Sequence, residues 1–391
     1  MAGRSRVGGI NPEDHRVFLY KEYLRIIARH HPSVFVMENV KGLLSATVNG
    51  EKVFDWIKRD LQNPQSVFPD SVPVRYRIYS LSTEVPEYDE NGNPIYKNDR
   101  DYLIRSEEYG IPQNRHRVIL LGIRDDIQVQ PQILSKNNNE QTLKNIIGQL
   151  PKLRSGVSKK FIDSKVIEKD GKKKKKRTYE IVKDSDKKWI EIFKEHQDEL
   201  GRLTEFPDTI SSKPNRQTLS TGAEFVECDS TIDPNNNLYE WYTDPKLKGV
   251  PNHETRTHLQ QDLKRYLFAA MYTKHFKTFP RMADYARHSK ALLPDHESAT
   301  SGKFADRFRV QVPHRAATTV TSHIAKDGHY FIHYDAEQCR SLTVREGARI
   351  QTFPDNYVFC GSRTAQYHQV GNAVPPYLAF QIAQIVKKIF Q

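Results

Sequence analysis

The stretch Ser33-Val34-Phe35-Val36-Met37-Glu38-Asn39-Val40 decides the fold of this chain. Its first five residues form a short apolar run rich in β-branched side chains, which predicts a buried parallel strand. A helical pattern over residues 17–27 precedes the run and ends before Pro32. A helix, an apolar strand and polar residues at the strand's carboxyl end together predict an α/β sheet, with ligands and chemistry at that end.

The same kind of pattern continues on the carboxyl side of this stretch. Two more strands are predicted over residues 75–81 and 117–123, and a Gly-, Asn- and Asp-rich surface hairpin or loop is predicted over 89–101. From Asp125 to about Phe308 the sequence is richer in charge, Asn, Ser and Thr, with isolated helical pieces such as 262–276. This change indicates an inserted and less regular domain.

Regular α/β material returns near the end of the chain. Thr343 and Glu346 form a capping-box pattern that predicts a helix running towards Gln351. A last helix is predicted from Pro376, with one apolar face formed by Leu378, Ile382, Ile385 and Ile389. We therefore predict three segments: a regular α/β part over 1–126, an inserted, less regular domain over 127–310 and a segment over 311–391 that returns to the α/β part.

Composition excludes several classes of protein. The 391 residues are long enough for two or three domains, and no run approaches the roughly 18 apolar residues that a membrane-spanning helix needs. The three cysteines, Cys228, Cys339 and Cys360, match neither a disulfide framework nor a zinc ribbon. These features predict a cytoplasmic protein with reduced thiols and no membrane partner.

The net charge of +12 is unevenly distributed. Residues 152–188 contain fifteen Lys and Arg against six Asp and Glu, with the run Lys172-Lys173-Lys174-Lys175-Lys176-Arg177 at the centre. Such a run can follow the phosphate backbone of a nucleic acid. It is equally consistent with a solvated loop or tip.

Metal binding is not predicted. His253-Glu254 and His258 resemble the zinc-protease helix motif, but the second histidine comes five residues after the first instead of four. On a helix this spacing moves it away from the ligand face. Neither a G-x-G-x-x-G loop nor a Walker loop is found in the sequence.

Four motifs in a fixed order resemble those of the C5-cytosine DNA methyltransferases, and most closely the bacterial branch of that family. They are Glu38-Asn39-Val40, the Gln-x-Arg-x-Arg motif over 113–117, an Arg-x-x-Thr-x-x-Glu-x-x-Arg-x-Gln helix over 340–351, and Gly371-Asn372-Ala373-Val374. Each motif alone is weak, but the order and the intervening insertion are specific. The resemblance implies methyl transfer from S-adenosylmethionine to C5 of cytosine in a specific sequence of double-stranded DNA, as in a restriction-modification system.

The resemblance also implies roles for individual residues. Carbon 5 becomes nucleophilic only after a thiolate adds to carbon 6, and a carboxyl group such as Glu38 assists by protonating or hydrogen-bonding N3. Arg117 would reach the flipped base or its O2, and Arg115 would order the catalytic loop. The residues by themselves also allow a structural interpretation, in which Glu38 is a polar strand end and the arginines belong to a strand-edge ion pair.

The remaining motifs have two interpretations as well. By resemblance, Asn372 and Val374 lie near the S-adenosylmethionine site; otherwise they belong to a loop leading into the last helix. By resemblance, residues 1–126 and 311–391 belong to the catalytic domain and residues 127–310 form the target-recognition domain, which the helix after Thr343 mainly organises. From the residues alone, this capping box starts a helix and Arg349 pairs with a neighbour.

The chain departs from the family at one important point. Neither the Phe-x-Gly-x-Gly cofactor loop nor the Pro-Cys-Gln segment with the nucleophilic cysteine is found in the sequence, and Met1-Ala2-Gly3-Arg4 resembles the loop that follows Pro-Cys-Gln. We therefore expect a partial Rossmann-like sheet that contains only the downstream strands. We further expect the chain to be inactive without the missing part, which a separate upstream polypeptide could supply. The alternatives are a DNA-binding protein that has lost catalysis and a gene remnant.

Overall fold

The computed structural model describes residues 19–137, 140–169, 172–206, 219–295 and 306–391, and only the backbone of Lys169 and residues 172–174. The segment Met1–Arg4 and the predicted helix start at Val17 lie outside the described residues. The chain divides into two compact units. The first contains Met1–Gly110, Asn114–Asn139 and Tyr377–Gln391, and the second contains Ile111–Gln113 and Glu140–Pro376.

The described helices are α1 Tyr20–His30, α2 Val53–Gln62, α3 Leu143–Ile147, α4 Asp186–Leu203, α5 Tyr239–Tyr242, α6 Gln260–Phe276, α7 Met282–His288, α8 Val344–Ile350, α9 Arg363–Asn372 and α10 Pro376–Ile389. The described strands are β1 Val34–Val40, β2 Thr47–Val48, β3 Glu51–Lys52, β4 Tyr76–Ser80, β5 Glu87–Tyr88, β6 Pro94–Ile95, β7 Leu103–Arg105, β8 Gln113–Asn114, β9 His116–Arg124, β10 Gly156–Lys169, β11 Lys172–Ile181, β12 Gly222–Glu227, β13 Gly249–Glu254, β14 Thr257–Leu259 and β15 Ala317–Thr318.

The first unit is built on a sheet with the strand order β1-β9-β4, and β7 also pairs with β9. The predicted strands over 75–81 and 117–123 are confirmed as β4 and β9, and β5 pairs with β6 in the predicted hairpin region. The prediction of a parallel strand was wrong for the pairing of β1. Both β1 and β4 are antiparallel to β9, which lies between them, so they run parallel to each other without touching.

Packing across the first sheet depends on a small residue in β9. Phe35 of β1 lies opposite Gly122 in the register, and a Cβ atom at Gly122 would lie only 2.1 Å from the Phe35 ring. The ring also makes an edge contact with Tyr76, with 5.0 Å between the ring centroids. Phe35 and Met37 are therefore buried, whereas Val36 on the opposite face is 37% exposed. In the described part of the chain, β1 pairs with a strand on one side only.

The last helix completes the first unit. The predicted apolar face of α10 is confirmed, because Leu378, Ile382, Ile385 and Ile389 are its buried residues. Gln381 anchors the helix within this unit by donating a hydrogen bond to the Tyr109 carbonyl at 3.0 Å. Together with the sheet, α1 and α2, this gives the α/β fold that the sequence predicts.

The second unit contains the predicted insertion and the Thr343 helix. A core of this unit packs α4 against α6, which confirms and slightly extends the predicted helix over 262–276. Strands β10 and β11 form a long antiparallel hairpin that contains the basic run. That run was expected to follow a polyanion or to form a solvated loop or tip; the structure places it in a strand, with Lys175, Lys176 and Arg177 exposed. Among the described helices, none is long and apolar enough to cross a membrane.

Candidate active site

The polar end of β1 meets the start of β9 in the first unit. Val40 lies opposite Arg117 in the antiparallel register, which brings the Glu38 and Arg117 side chains together. Oε1 of Glu38 lies 2.7 Å from Nε of Arg117, and the two side chains are 28% and 15% exposed. The Arg117 Nε–H does not point along this line in good hydrogen-bond geometry, so the contact is mainly electrostatic. The pair is thus anchored at the sheet while part of the carboxylate stays accessible.

Arg115 lies next to this pair and is far less accessible. It is 4% exposed, and burial lowers the pKa of its guanidinium to about 10. The nearby charge of Arg117 lowers that pKa further, and Glu38 acts in the opposite direction. The Arg115 carbonyl accepts a hydrogen bond from the Ser106 hydroxyl at 2.6 Å. Glu38, Arg115 and Arg117 therefore form one charged cluster.

This cluster offers both acceptors and donors to a planar ligand. A carboxylate accepts hydrogen bonds, and a guanidinium donates several in a fixed plane. The Watson–Crick edge of cytosine presents an amino donor, N3 and the O2 acceptor. A carboxylate beside a guanidinium therefore complements that edge. The ion pair also matches the structural interpretation of these residues, so geometry alone is compatible with both.

The motif over 340–351 forms a buried ionic network in the second unit. Both predicted halves of the capping box are present, since Glu346 N donates to Thr343 Oγ1 and Thr343 N donates to Glu346. Arg340 binds the same carboxylate with two contacts, 2.7 Å and 2.6 Å long. Burial alone would raise the pKa of Glu346, but the Arg340 guanidinium and nearby histidines hold it far below its usual range.

The other charged residues of this helix also act inside the protein. Arg349 forms an ion pair with Asp355, as predicted for a neighbour, and its Nη1 donates to the Ile146 carbonyl at 2.8 Å. Arg345 donates to the carbonyls of Pro251, Pro354 and Tyr357. Because these side chains are buried and fully engaged, the helix organises the second unit rather than facing a ligand.

Two glutamines connect three of the motifs within the second unit. Gln113 Nε2 donates to Gln351 Oε1 at 2.8 Å, and Gln113 Oε1 accepts from Val320 N at 2.6 Å. Gln351 Nε2 in turn donates to the Val370 carbonyl at 2.7 Å, near the end of α9. This connection was not predicted from the sequence. The only signal for it was that Gln113 and Gln351 both belong to motifs of the same family.

The segment Gly371-Asn372-Ala373-Val374 is held by its backbone. A Cβ atom at Gly371 would lie 2.4 Å from Ser322 N and from the Thr321 carbonyl carbon, so a larger residue does not fit. The side chains of Asn372 and Val374 are exposed. Asn372 is the last residue of α9, and Val374 precedes α10. The backbone is thus fixed, while the Asn372 amide and the apolar Val374 side chain are exposed. Both side chains are therefore free to contact a ligand that has polar and apolar parts.

The three cysteines differ in their surroundings. Cys339 is buried and its thiol donates to the Leu263 carbonyl at 3.1 Å, and burial raises its pKa well above the usual range. Cys228 is partly buried, which also raises its pKa, and Cys360 is exposed. A nucleophilic cysteine needs surroundings that lower its pKa, such as a nearby cation or a helix N-terminus. Neither Cys228 nor Cys339 has this property.

His253 and His258 take part in packing within the second unit. His253 lies in β13, with Nδ1 3.0 Å from Thr343 Oγ1 and Nε2 2.9 Å from the Pro151 carbonyl. His258 lies in β14, with Nε2 3.1 Å from Ser341 Oγ. Among the described residues, no group of three or more His, Cys, Asp or Glu side chains is arranged to hold a metal ion.

Comparisons with known proteins agree with these motifs. A family model described as C-5 cytosine-specific DNA methylase matches residues 5–64 and 87–388. Over its whole length the chain is 30% identical to the type II methyltransferase M.Bpa9945I of Bacillus paralicheniformis, of which it covers 67%. It is likewise 26% identical to the type II methyltransferase M.DdeI of Desulfomicrobium norvegicum, of which it covers 71%. A crystal structure of an E. coli DNA modification methyltransferase encoded within a prophage shares 16% identity and a TM-score of 0.48, over 96% of this chain and 75% of that one.

Proposed function

Because this chain belongs to the C-5 cytosine-specific DNA methylase family, we propose that its Glu38–Arg117 pair binds the cytosine that is methylated. The supporting observation is the partly accessible carboxylate held 2.7 Å from the guanidinium at the carboxyl end of β1. The Glu38 carboxylate accepts a hydrogen bond from the N4 amino group and a second one from N3–H once N3 is protonated, and Arg117 donates to O2. A cytosine offers this edge only after it has left the duplex, so binding requires base flipping.

Glu38 promotes the reaction by stabilising positive charge on the base. Addition of a thiolate to C6 makes the ring electron-rich, and protonation or hydrogen bonding at N3 stabilises that product. The neighbouring arginine keeps the carboxylate in place, and the buried Arg115 acts as a positioning residue. In this proposal Arg115 does not touch the base but orders the catalytic loop, and its buried position supports such a role.

Members of this family take the methyl group from S-adenosylmethionine, which supplies an electrophilic methyl on sulfur. We propose that the Asn372 amide and the Val374 side chain contact this cofactor. The support is that the Gly371 packing and the Gln351 hydrogen bond fix the backbone there while both side chains remain exposed. One polar and one apolar group suit a ligand that combines hydrogen-bonding and apolar surfaces.

We also propose that the nucleophilic thiolate comes from a Pro-Cys-Gln segment that is not among these 391 residues. The support is that none of the three cysteines follows a proline and that the pKa of both Cys228 and Cys339 is raised. The region over 127–310 then serves as the recognition domain for double-stranded DNA. A protein that binds DNA without catalysis is the second candidate, favoured by the same cysteine observations.

Complementation tests these proposals. The chain is mixed with a polypeptide that carries the Phe-x-Gly-x-Gly and Pro-Cys-Gln segments of the family, and transfer of a radiolabelled methyl group to duplex DNA is measured. We expect transfer only with both polypeptides, and none when the added cysteine is replaced by alanine. DNA binding of the chain is measured separately by fluorescence anisotropy. Binding without methyl transfer, although both polypeptides fold and associate, would reject the catalytic proposal in favour of the second candidate.

A further inference from the structure

Strands β10 and β11 continue past their pairing with β14 as a two-stranded ribbon. The third strand, β14, pairs with β10 only at Gly156, Val157 and Lys159. From Lys160 onward the ribbon therefore has two strands, and about ten residues of extended chain span roughly 30 Å. We call residues 160–169 and 172–180 the basic ribbon. Its apolar side chains are not covered, since Ile162 is 53% and Val166 is 63% exposed.

The two faces of the basic ribbon differ in their contacts. On one face, Asp295 forms ion pairs with Lys175 and Arg177 and a hydrogen bond with Ser164. Ser164 lies opposite Arg177 in the register, as expected for side chains that share a face. This anchored face is thus directed towards the body of the second unit, and its two cations already have a carboxylate partner.

The other face carries unneutralised charge. Lys165 lies directly opposite Lys176, and both side chains are exposed. Among the described residues, no carboxylate forms an ion pair with either lysine. Like charges opposite each other destabilise a pair of strands, and a bound anion removes this cost. Thr178 follows Lys176 on this outer face, and Asp163 lies opposite Thr178. We define the outer face by Asp163, Lys165, Lys176 and Thr178.

From these observations we infer that the outer face of the basic ribbon binds the DNA duplex, with Lys165 and Lys176 contacting phosphates of the substrate. The inference rests on the proposed function, which makes duplex DNA the partner. Residues 156–181 contain ten basic and four acidic residues, half of the net charge of the whole chain. A two-stranded ribbon also fits the major groove, which is about 12 Å wide. Charge and shape therefore both favour a duplex on this face.

Only some of the cations of the basic ribbon contact DNA. Lys165 and Lys176 contact phosphates, whereas Lys175 and Arg177 hold the ribbon through Asp295. Each phosphate contact releases about 0.9 counterions from duplex DNA. Removing both outer-face lysines is therefore expected to lower the slope of log affinity against log salt concentration by about 2, and to weaken binding at least about tenfold near 0.1 M salt.

The experiment uses the full chain and a fluorescent DNA duplex, with anisotropy measured at several KCl concentrations. The test variant is K165Q/K176Q. K165R/K176R keeps the charge and is expected to keep the wild-type slope. K187Q/K194Q is the matched control, because it removes two exposed lysines from α4 and is expected to leave the slope unchanged. Circular dichroism verifies that all variants are folded.

Acetylation provides a second measurement that does not depend on a variant. The wild-type chain is treated with an acetylating reagent with and without duplex, and modified lysines are identified by mass spectrometry. We expect DNA to protect Lys165 and Lys176 but not Lys187. Equal slopes for wild type and K165Q/K176Q, with no protection, would overturn the inference while leaving the proposed function intact. Absence of duplex binding by the wild-type chain would overturn both.

Discussion

The Glu38 carboxylate lies 2.7 Å from the Arg117 guanidinium, although the two residues belong to different strands and are separated by 79 positions in the sequence. The antiparallel pairing of β1 with β9 creates this contact. A carboxylate in this position is both anchored by a cation and partly open to solvent. The following expectations test what this pair and the buried networks contribute.

The substitution E38Q is expected to lower methyl transfer in the complementation assay by about 10²- to 10⁴-fold, because glutamine cannot supply the proton or the negative charge at N3. Duplex binding is expected to stay within about twofold of wild type. The matched control is E22Q, which removes an exposed carboxylate from α1. Equal transfer rates for E38Q and wild type would show that the pair is only structural.

The substitution G371A is expected to destabilise the second unit by about 1–3 kcal/mol, because the added methyl would overlap backbone atoms of Thr321 and Ser322. The control is G201A in α4, where a Cβ atom would meet no atom within 4 Å. There alanine is expected to stabilise by up to about 1 kcal/mol, since it favours the helix. Thermal melts compare the two variants, and a similar melting temperature for both would contradict the close approach at Gly371.

The buried histidines predict loss of stability in mild acid. Burial lowers the pKa of His253 and of His333 to about 4, against about 6.5 in the unfolded chain. The unfolded state therefore binds more protons between these values, and stability falls as pH decreases from about 6.5 to 4. Each histidine contributes about 1.4 kcal/mol per pH unit in this window.

Urea denaturation at pH 7 and pH 5 measures this effect. The substitution H253Q removes one titrating group, so the loss of stability between the two pH values should be smaller than in wild type. H275Q, at an exposed position of α6, should behave as wild type. The same pH dependence in H253Q and wild type would exclude His253 as a source of the acid sensitivity.

For the buried Arg340–Glu346 pair, we expect that replacing one residue lowers the free energy of unfolding more than replacing both. E346Q leaves the buried Arg340 without its counter-charge, which is expected to cost about 3–5 kcal/mol. The double variant R340M/E346L removes both charges and is expected to be less destabilised than E346Q. Chemical denaturation of both variants gives the comparison. Greater destabilisation of the double variant would mean that packing, not charge, dominates at this site.

Local sequence patterns predicted a large part of the fold. The apolar face of α10, the capping box at Thr343 and the strands β4 and β9 follow from periodicity and from interactions within a few residues. The direction of the strand next to β1 did not follow from its composition. A short apolar run indicates that a strand is buried, but it does not indicate which strand lies beside it or in which direction that strand runs.

The contacts that define the candidate site were less predictable. The motifs identified Glu38, Arg115 and Arg117 as candidates. The catalytic and the structural interpretation of these residues could be compared only when the ion pair and the burial of Arg115 were known. The bond between Gln113 and Gln351 joins residues 238 positions apart. Asp295 anchors Lys175 across 120 positions. Nothing in the local spacing of any of these residues indicates its partner.

The sequence by itself determined the α/β class, the order of the family motifs and the concentration of positive charge between residues 152 and 188. Tertiary structure decided which charged groups are neutralised and which remain accessible. Arg340 and Glu346 neutralise each other in the core, Asp295 binds Lys175, and Lys165 remains exposed. The physical reason is that periodicity depends on neighbours along the chain, whereas burial and charge pairing depend on neighbours in space.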